Sequence, residues 1–470
     1  AYTYASGPKL PLTPADFTYK GCFKIGPYPG YPSTAIFNSD PYSRLSYSAT
    51  ASFGSPLAFR IVNVQRRFFV IGHGSGGGKV SEFALPATLS QTVTAAPFAA
   101  TANYWNLIPY NVRPSSQYPA GNIFSIVTEG LYWDETRQVL WYTFADVFDT
   151  NGVGPTIGYA TLQPPQAYGP FDLNTLFNRT QNVRGWIMEV PPAVRVYTGN
   201  RRFVVGNRFD SILAQTYFGP SQIAFDEPQD TWVPTVALPP QTAPAVWGPP
   251  NRTIAGTKDV MRYGKGVPSN KEDGINFNYT KYLHRTPDYS VMGLAPNAPP
   301  QQGGAGGTNV NPSGGFGYCQ SVDLTVGGVW VETATRAGAV VTGGQSSGRN
   351  WYSENGYVNG VQIPNDPRGV SGWYGTPPTF NGGRVGCEVF NPTFYLYSEQ
   401  DLINGAQSAQ YQLNPTIWRH PVSGPIGPWT FGAPVFDAEQ RRLYVSQDCS
   451  YAALGEGMRY PVLHCFEVAA

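Results

Sequence analysis

Short runs of β-branched and aromatic residues dominate this chain, and clusters of glycine, proline, asparagine and aspartate separate them. Such runs predict β-strands joined by turns. Few windows of ten or more residues place apolar side chains at the i, i+3, i+4, i+7 spacing of an amphipathic helix, and glycine or proline interrupts most of those. The pattern therefore predicts an all-β protein.

One hairpin unit recurs along the chain. It consists of an apolar strand, a polar turn with Asp or Asn and Arg, and a second strand that ends in a small residue and a polar one. The unit occurs in five stretches: 56–73, 130–146, 192–207, 328–345 and 433–447. An imperfect repeat of hairpins, spaced some tens of residues apart, is typical of proteins that repeat one module around a ring or along an axis.

The clearest copy of the unit runs from Val435–Asp437 to Leu443–Gln447. It resembles the blades of secreted β-propellers of the NHL and YVTN type, which read strand, Asp, turn, Leu-Tyr-Val, small residue, polar residue. The copy at Trp133–Asp134 and Leu140–Tyr142 is a fair match. The resemblance implies a fold and not an activity. A WD40 propeller is disfavoured, because no Trp-Asp pair closes the repeats at even spacing.

Two further stretches, 219–225 and 388–397, look like parts of additional blades. Together with the five hairpins they predict a β-propeller of seven blades, with six or eight as alternatives. The strand candidate Phe17–Phe23 has no hairpin partner nearby. We expect it to pair with Val462–Phe466, because this pairing would close the ring and remove an exposed sheet edge.

The chain is predicted to form a single domain over residues 1–470. Its segment 235–315 is rich in proline at one end and in glycine, proline and glutamine at the other, with a polar stretch between them. No compact apolar pattern fills this segment. We therefore expect a loop-rich insertion within the propeller rather than a separate domain.

The charge balance of the chain argues against two classes of partner. The chain has 31 Lys and Arg against 30 Asp and Glu, a net charge of +1. A balance this even argues against a nucleic-acid partner and against a polybasic membrane-binding surface. No run of 18 apolar residues occurs, so no membrane-spanning helix is predicted.

Several features favour an exported protein. The numbering begins at Ala1, and charged residues make up only 13% of the chain. We expect an extracellular location, or one on a cell or virion surface, after N-terminal processing. Candidate glycosylation sites are Asn178, Asn251 and Asn278, each in an Asn-X-Thr sequon.

The chain has five cysteines: Cys22, Cys319, Cys387, Cys449 and Cys465. Two disulfides and one free thiol would fit an exported protein, and five buried thiols are the alternative. Either Cys22 or Cys449 could be the partner of Cys465. No Cys-X-X-Cys pair exists, and the four histidines lie far apart in sequence, so neither a metal nor a cofactor is predicted.

The repeat itself supplies the best candidate for a ligand site. If the hairpins are equivalent, one polar residue ends the same strand in each of them, and the five would share one face of the propeller. These residues are His73, Asp146, Asn207, Gln345 and Gln447. A ring of donors and acceptors with little net charge suits hydroxyl-rich ligands such as sugars. The alternative is that these side chains only bond turn backbone.

Aromatic residues in predicted loops add a second hint. Trp351 and Tyr352 lie among glycine, serine and asparagine, and aromatic faces stack on sugar rings and anchor interfaces. The alternative is that they pack over the ends of blades.

Two function hypotheses follow. The first is an extracellular, non-enzymatic propeller that binds glycans or packs with other copies of itself into a surface or filament assembly. The alternative is a polysaccharide-active lyase or glycoside hydrolase, with Glu129, Glu332 and His73 as the first residues to mutate. No catalytic set is recognisable in the sequence. An enzyme should show a deep pocket with two converging carboxylates or a Tyr, Arg and His cluster.

Overall fold

The structure is a computed structural model of the chain. It describes the following residues: 9–25, 57–71, 80–92, 102–104, 126–146, 157–172, 185–196, 201–206, 222–225, 236–237, 252–253, 258–261, 324–352, 357–358, 361–362, 385–407, 415–421, 423, 426, 431–447 and 462–470.

The strands are numbered in chain order. A short 3-10 turn, Pro14–Asp16, leads into β1 (Phe17–Lys24). Sheet 1 contains β2 (Leu57–Val62), β3 (Gln65–Ile71), β4 (Val80–Ala84) and β5 (Ala102–Tyr104). Sheet 2 contains β6 (Ile126–Asp134), β7 (Val139–Asp146), β8 (Ile157–Leu162) and β9 (Pro165–Asp172).

Sheet 3 begins with β10 (Ile187–Glu189), β11 (Phe203–Gly206) and β12 (Gln222–Phe225). Two short strands, β13 (Val236–Ala237) and β14 (Arg252–Thr253), both pair with β9 at the outer edge of sheet 2. Strand β15 (Lys258–Met261) then completes sheet 3. The described residues of the segment 235–315 thus add short strands to the outer edges of two sheets.

Sheet 4 contains β16 (Leu324–Glu332), β17 (Ala337–Tyr352), β20 (Val385–Ser398) and β21 (Thr416–Arg419). A separate hairpin joins β18 (Tyr357–Val358) and β19 (Val361–Gln362). Sheet 5 contains β22 (Phe431–Asp437), β23 (Arg442–Gln447) and β24 (Val462–Val468), with β1 as its fourth strand. Two helices are described, α1 (Pro192–Arg195) and α2 (Glu399–Gln407).

The first strands of the five sheets form a ring. Each contacts the first strand of the next sheet, in the order β2, β6, β10, β16, β22 and back to β2. Within each sheet the later strands follow outward as an antiparallel meander. The predicted all-β propeller architecture is therefore confirmed.

The predicted count of seven blades is not confirmed, because the described residues form five such sheets. The two stretches that suggested additional blades are outer strands of existing sheets. Residues 222–225 form β12, the third strand of sheet 3, and residues 385–398 form β20, the third strand of sheet 4. Strand composition alone does not distinguish a new hairpin from the outer half of a four-stranded sheet.

The ring closes as expected from the sequence. Strand β1 pairs antiparallel with β24, with Phe17 opposite Val468 and Phe23 opposite Leu463. The N-terminal strand thus completes the sheet that the C-terminal strands begin. This pairing removes the open edge that β24 would otherwise present.

One predicted hairpin strand is wrong. Residues 192–195 form the single-turn helix α1, and the first strand of sheet 3 is β10, which lies upstream. Pro192 occupies the first turn of the helix, where a fixed φ and a missing N–H are tolerated. The Pro-Pro pair at 191–192 therefore starts a helical turn instead of a strand.

Buried ion pairs join neighbouring sheets. Asp134, at the end of β6, accepts hydrogen bonds from Arg202, just before β11 of the next sheet, at 2.7 and 3.1 Å. Asp437, at the end of β22, pairs in the same way with Arg66 of β3. Both aspartates are fully buried and also accept hydrogen bonds from the backbone N–H groups of their own turns. Contacts between sheets thus explain the Asp of the repeat in these two copies.

Candidate functional site: the central pocket

A cavity of about 560 Å³ lies at the centre of the ring. First strands of all five sheets contribute to its wall. One residue from each sheet illustrates this arrangement: Phe59, Tyr132, Glu189, Trp330 and Phe436. A cavity of this size is within the range of small-molecule sites, and its central place makes it the candidate functional site.

Aromatic side chains dominate the accessible wall. Phe59, Tyr132, Trp330 and Phe436 line the pocket and are only partly buried. They come from four different sheets, so the rings surround the cavity. Such rings offer large, rigid apolar faces at low cost in side-chain entropy.

Glu189 is the centre of the first polar cluster. One carboxylate oxygen accepts a 2.6 Å hydrogen bond from the hydroxyl of Tyr132. The other accepts from Arg195 at 2.6 Å and from Arg202 at 2.8 Å. Burial raises the pKa of Glu189, but hydrogen bonds from Arg202 and Tyr132 outweigh burial and leave the pKa below its ordinary value. The carboxylate is therefore ionised at neutral pH.

The pKa of Tyr132 is shifted upward, whereas that of Glu189 is shifted downward. Burial and the adjacent Glu189 charge raise the pKa of its phenol well above the ordinary value. The hydroxyl therefore remains protonated and acts as a donor to Glu189.

Glu332 is the centre of the second polar cluster. Its carboxylate accepts a 2.7 Å hydrogen bond from the Lys9 ammonium and a 3.3 Å one from the Trp330 indole N–H. The Lys9 ammonium also donates to the carbonyl of Thr333 at 2.5 Å. Lys9 is held there by a short segment in which Leu10 exchanges backbone hydrogen bonds with Thr335 and Ala337.

The two clusters have a common electrostatic property. Each carboxylate that lines the pocket is bound by at least one cationic side chain: Glu189 by two arginines and Glu332 by Lys9. The charges are therefore matched locally, and the mouth offers hydrogen-bonding groups without a strong field of either sign. This arrangement suits an uncharged ligand better than an ionic one.

The mouth lies at the turns between first and second strands. The exposed residues Ala334 and Ala438, in two such turns, line the pocket. At the opposite end, neighbouring strands approach very closely. A β-carbon on Gly130 would overlap the carbonyl oxygen of Gly185, and one on Gly327 would overlap the backbone of Ala433.

Threonine side chains strengthen these close approaches. Thr143 donates to the carbonyl of Gly185, and Thr342 donates to that of Gly432 at 2.5 Å. The acceptor Gly185 is itself the residue that Gly130 contacts, and the acceptor Gly432 is next to Ala433, which Gly327 contacts. We call Gly130 and Gly327, with the backbone that they contact, the glycine collar; among the described residues, the pocket lining stops just before it, at Leu131 and Gly328. The cavity is therefore open at the turns and narrowed at the collar.

Three of the five residues of the predicted polar ring lie at the other end of the sheets. Asp146 is paired with Ile126, and Gln447 with Phe431, the first residues of β6 and β22. Gln345 follows the position paired with the first residue of β16. These three positions share one end of the ring, opposite the pocket mouth, whereas His73 and Asn207 lie outside the described residues.

Gln447 has a structural partner. Its side chain is fully buried, and its oxygen lies 2.9 Å from Nε2 of His464. This partner is a histidine side chain of β24 and not the turn backbone that the alternative named. Trp351 and Tyr352 were expected in a loop, but both lie in the long strand β17. The extended run after Gln345 continues as a strand because it pairs with β20.

Cys22, one of the two candidate partners of Cys465, forms no disulfide with it, and both thiols are free and buried. Cys22 is paired with His464, whereas Cys465 is paired with Gly21. Adjacent positions along a strand face opposite sides of a sheet, so the two sulfur atoms point away from each other. Burial raises the pKa of both thiols, that of Cys465 to about 11, which leaves them unreactive.

The remaining candidates lie beyond the described side chains. Cys319 and Cys449 are outside the described residues, as are the sequons at Asn178, Asn251 and Asn278. Cys387 and Glu129 lie in strands whose side chains are not described there. Within the described part of the chain, no group of three or more His, Cys, Asp or Glu residues is arranged to hold a metal ion.

Sequence reasoning missed most of the pocket. Only Glu332 was among the candidates; Tyr132, Glu189, Trp330 and Lys9 were not. The usable signal was the first strand of each hairpin, because in a ring of sheets this strand faces the centre. The polar ends of the second strands of sheets 2 and 5 lie instead at the opposite end of the sheets.

No protein-family model matches this sequence, and no curated protein matches it either. The arrangement of the sheets shows a β-propeller, and the resemblance to the NHL and YVTN types in particular remains an expectation from the sequence. Neither described helix is long and apolar enough to cross a membrane.

Proposed function

We propose that this protein is a non-enzymatic binding propeller that takes an uncharged, hydroxyl-rich ligand, a glycan, in its central pocket. The observation that carries this proposal is the pairing of aromatic walls with carboxylates already bound by cations. Aromatic faces stack on the C–H-rich faces of sugar rings, and the fixed carboxylates and amino groups at the mouth provide acceptors and donors for hydroxyls.

The proposed location is outside the cell or on a cell or virion surface. It is supported by the low fraction of charged residues, 13%, and by the resemblance to secreted propellers. Sequon glycosylation belongs to the same proposal, since it requires an exported chain.

The test is a panel of soluble polysaccharides, scored both for binding and for new reducing or unsaturated ends. We expect binding without products. Trp330→Ala should weaken binding about tenfold or more, because one stacked ring is worth about 1.4 kcal/mol or more. Trp418→Ala is the matched control: this half-buried tryptophan lies on the outer strand β21 and does not line the pocket.

Equal binding by the Trp330 and Trp418 variants would place the ligand elsewhere, and no binding to any polysaccharide would exclude a glycan ligand from the panel. New chain ends would instead support the runner-up, a polysaccharide-active enzyme. Two carboxylates, Glu189 and Glu332, do line one pocket. Against that reading, cations hold both, and a Glu189 with a lowered pKa is a poor general acid.

Self-assembly is the second candidate role. Three large apolar side chains are well exposed on the face that carries the pocket mouth: Leu10, Val64 and Val196, at 58%, 85% and 62%. Each lies in, or is bonded to, a connection between a first and a second strand. Sedimentation of the protein at increasing concentration tests this role, and replacement of all three by serine should abolish any self-association found.

A further inference from the structure

We infer that the pocket binds its glycan end-on, so that the recognised unit is the end of the chain and not an internal segment. This inference rests on the proposed function and concerns the same site. It follows from the shape of the pocket at its two ends.

The inner end of the pocket is narrowed by backbone. A β-carbon on Gly130 of β6 would overlap the backbone of Gly185, just before β10, and one on Gly327 of β16 would overlap Ala433 of β22. The ring of Trp186 packs against Gly328 in the same way, between sheets 3 and 4. Three of the five junctions between first strands are thus closed at this level by backbone or a buried ring, and among the described residues the pocket lining ends here, at Leu131 and Gly328.

The sides of the pocket are also closed. Its wall consists of the five first strands, which contact one another in a complete ring. A polysaccharide lying across the molecule would need an open groove with two exits. The described residues provide one exit, at the turns that contain Ala334 and Ala438. A ligand that enters by this mouth must present a terminus.

The pocket lining is apolar at its inner end and polar near the mouth, which agrees with entry of the ligand from the mouth. Residues near the collar, such as Leu57, Leu131 and Pro434, are apolar. Polar groups, those of Lys9 and Glu332, stand nearer the turns. The leading sugar unit would place a C–H-rich face inward, while the units that follow would keep their hydroxyls near the polar rim and in water.

The test uses xylan, mannan, chitosan-free chitin oligomers and mixed-linkage β-glucan, each prepared at three average chain lengths and compared at equal mass. If the pocket takes chain ends, the number of binding sites per gram should rise in proportion to the number of chains. If it binds internal segments, the number per gram should stay constant. Binding that is constant per gram overturns the inference and leaves the proposed function intact, whereas absence of binding to every sample overturns both.

A second measurement identifies the mouth. Ala334→Trp would place a large side chain at an exposed position of the rim, and it should reduce binding about tenfold or more without a loss of stability. Val196→Trp is the control, because Val196 is exposed on the same face but does not line the pocket. Unchanged binding by Ala334→Trp would contradict entry at these turns.

Discussion

Asn63 and Val64 form the two-residue turn between β2 and β3, and both have positive φ angles, 49° and 64°. A hairpin of this length favours Asn followed by Gly, because both central residues must be left-handed. Valine is an unusual choice, since its branched side chain is strained in that region. At 85% exposure it gains little from packing. The position is therefore locally unfavourable for stability.

We predict that Val64→Gly stabilises the protein by about 1 kcal/mol, because it removes left-handed strain at an exposed site. Urea unfolding of the two proteins measures the difference. The matched control is Val196→Gly: Val196 is also exposed, but its φ is −54°, so glycine there should lower stability. Equal effects of the two substitutions would show that backbone strain at Val64 is unimportant.

At the scale of strands and turns, the repeat places charged residues that form ion pairs between sheets. The sequence shows an Asp at the end of a first strand and an Arg near the start of a second strand, in the same unit. The structure joins the Asp of one sheet to the Arg of the next, as in Asp134 with Arg202 and Asp437 with Arg66. Each of these two ion pairs therefore joins two sheets that are adjacent in the ring.

We predict that Asp134→Ala lowers the free energy of unfolding by roughly 3 kcal/mol or more, because it removes the carboxylate that pairs with the buried Arg202 and leaves two turn N–H groups without that acceptor. Chemical denaturation measures the loss. Glu467→Gln is the control, since its ion pair with Lys20 is exposed and should contribute little. A cost for Asp134→Ala no larger than that of the control would remove the inter-sheet pair as a source of stability.

Helix α2 begins at a capping box that can be recognised in the sequence. Ser398 and Asp401 form reciprocal bonds at its start: the Ser398 backbone N–H donates to the Asp401 carboxylate at 3.1 Å, and the Asp401 N–H donates to the Ser398 hydroxyl at 3.0 Å. This is a capping box, and its Ser-X-X-Asp pattern is readable in sequence.

At the scale of the whole molecule, the closure between β1 and β24 holds the ring together, and it buries a histidine. His464 is fully buried, with Nε2 2.9 Å from Gln447 and Nδ1 3.2 Å from the Tyr19 hydroxyl. Burial, with a smaller contribution from nearby His420, lowers the pKa of His464 from 6.5 to about 3. The imidazole is therefore neutral in the folded protein.

The closure should consequently weaken in acid. Below about pH 6.5 the unfolded chain takes up a proton at this histidine that the folded protein does not bind until about pH 3. Stability is fully present above the unfolded pKa, and it should fall by about 1.4 kcal/mol per pH unit through this window. His420, whose pKa burial also lowers, contributes with the same sign.

Thermal or urea unfolding across pH 7 to 4 measures this dependence. His464→Gln removes the titrating group while it keeps a polar side chain between Gln447 and Tyr19. The free energy of unfolding of the variant minus that of the wild-type protein should rise toward acid pH, because only the wild-type protein loses stability at His464. His420 is present in both proteins, so its contribution cancels. A parallel pH dependence of the two proteins would contradict the assigned role of His464.

The strand content and the recurring hairpin could be predicted from the residues alone, because alternating apolar residues and turn residues act over a few neighbouring positions. The pairing of the two terminal strands could be predicted because a ring of sheets must close. The number of sheets, and the helical turn at 192–195, depend on long-range packing and came only from the structure. The tertiary structure also decided which end of the sheets carries a pocket. Tyr132, Glu189, Trp330 and Lys9 are far apart in the chain, and they meet only because five first strands close a ring around one cavity.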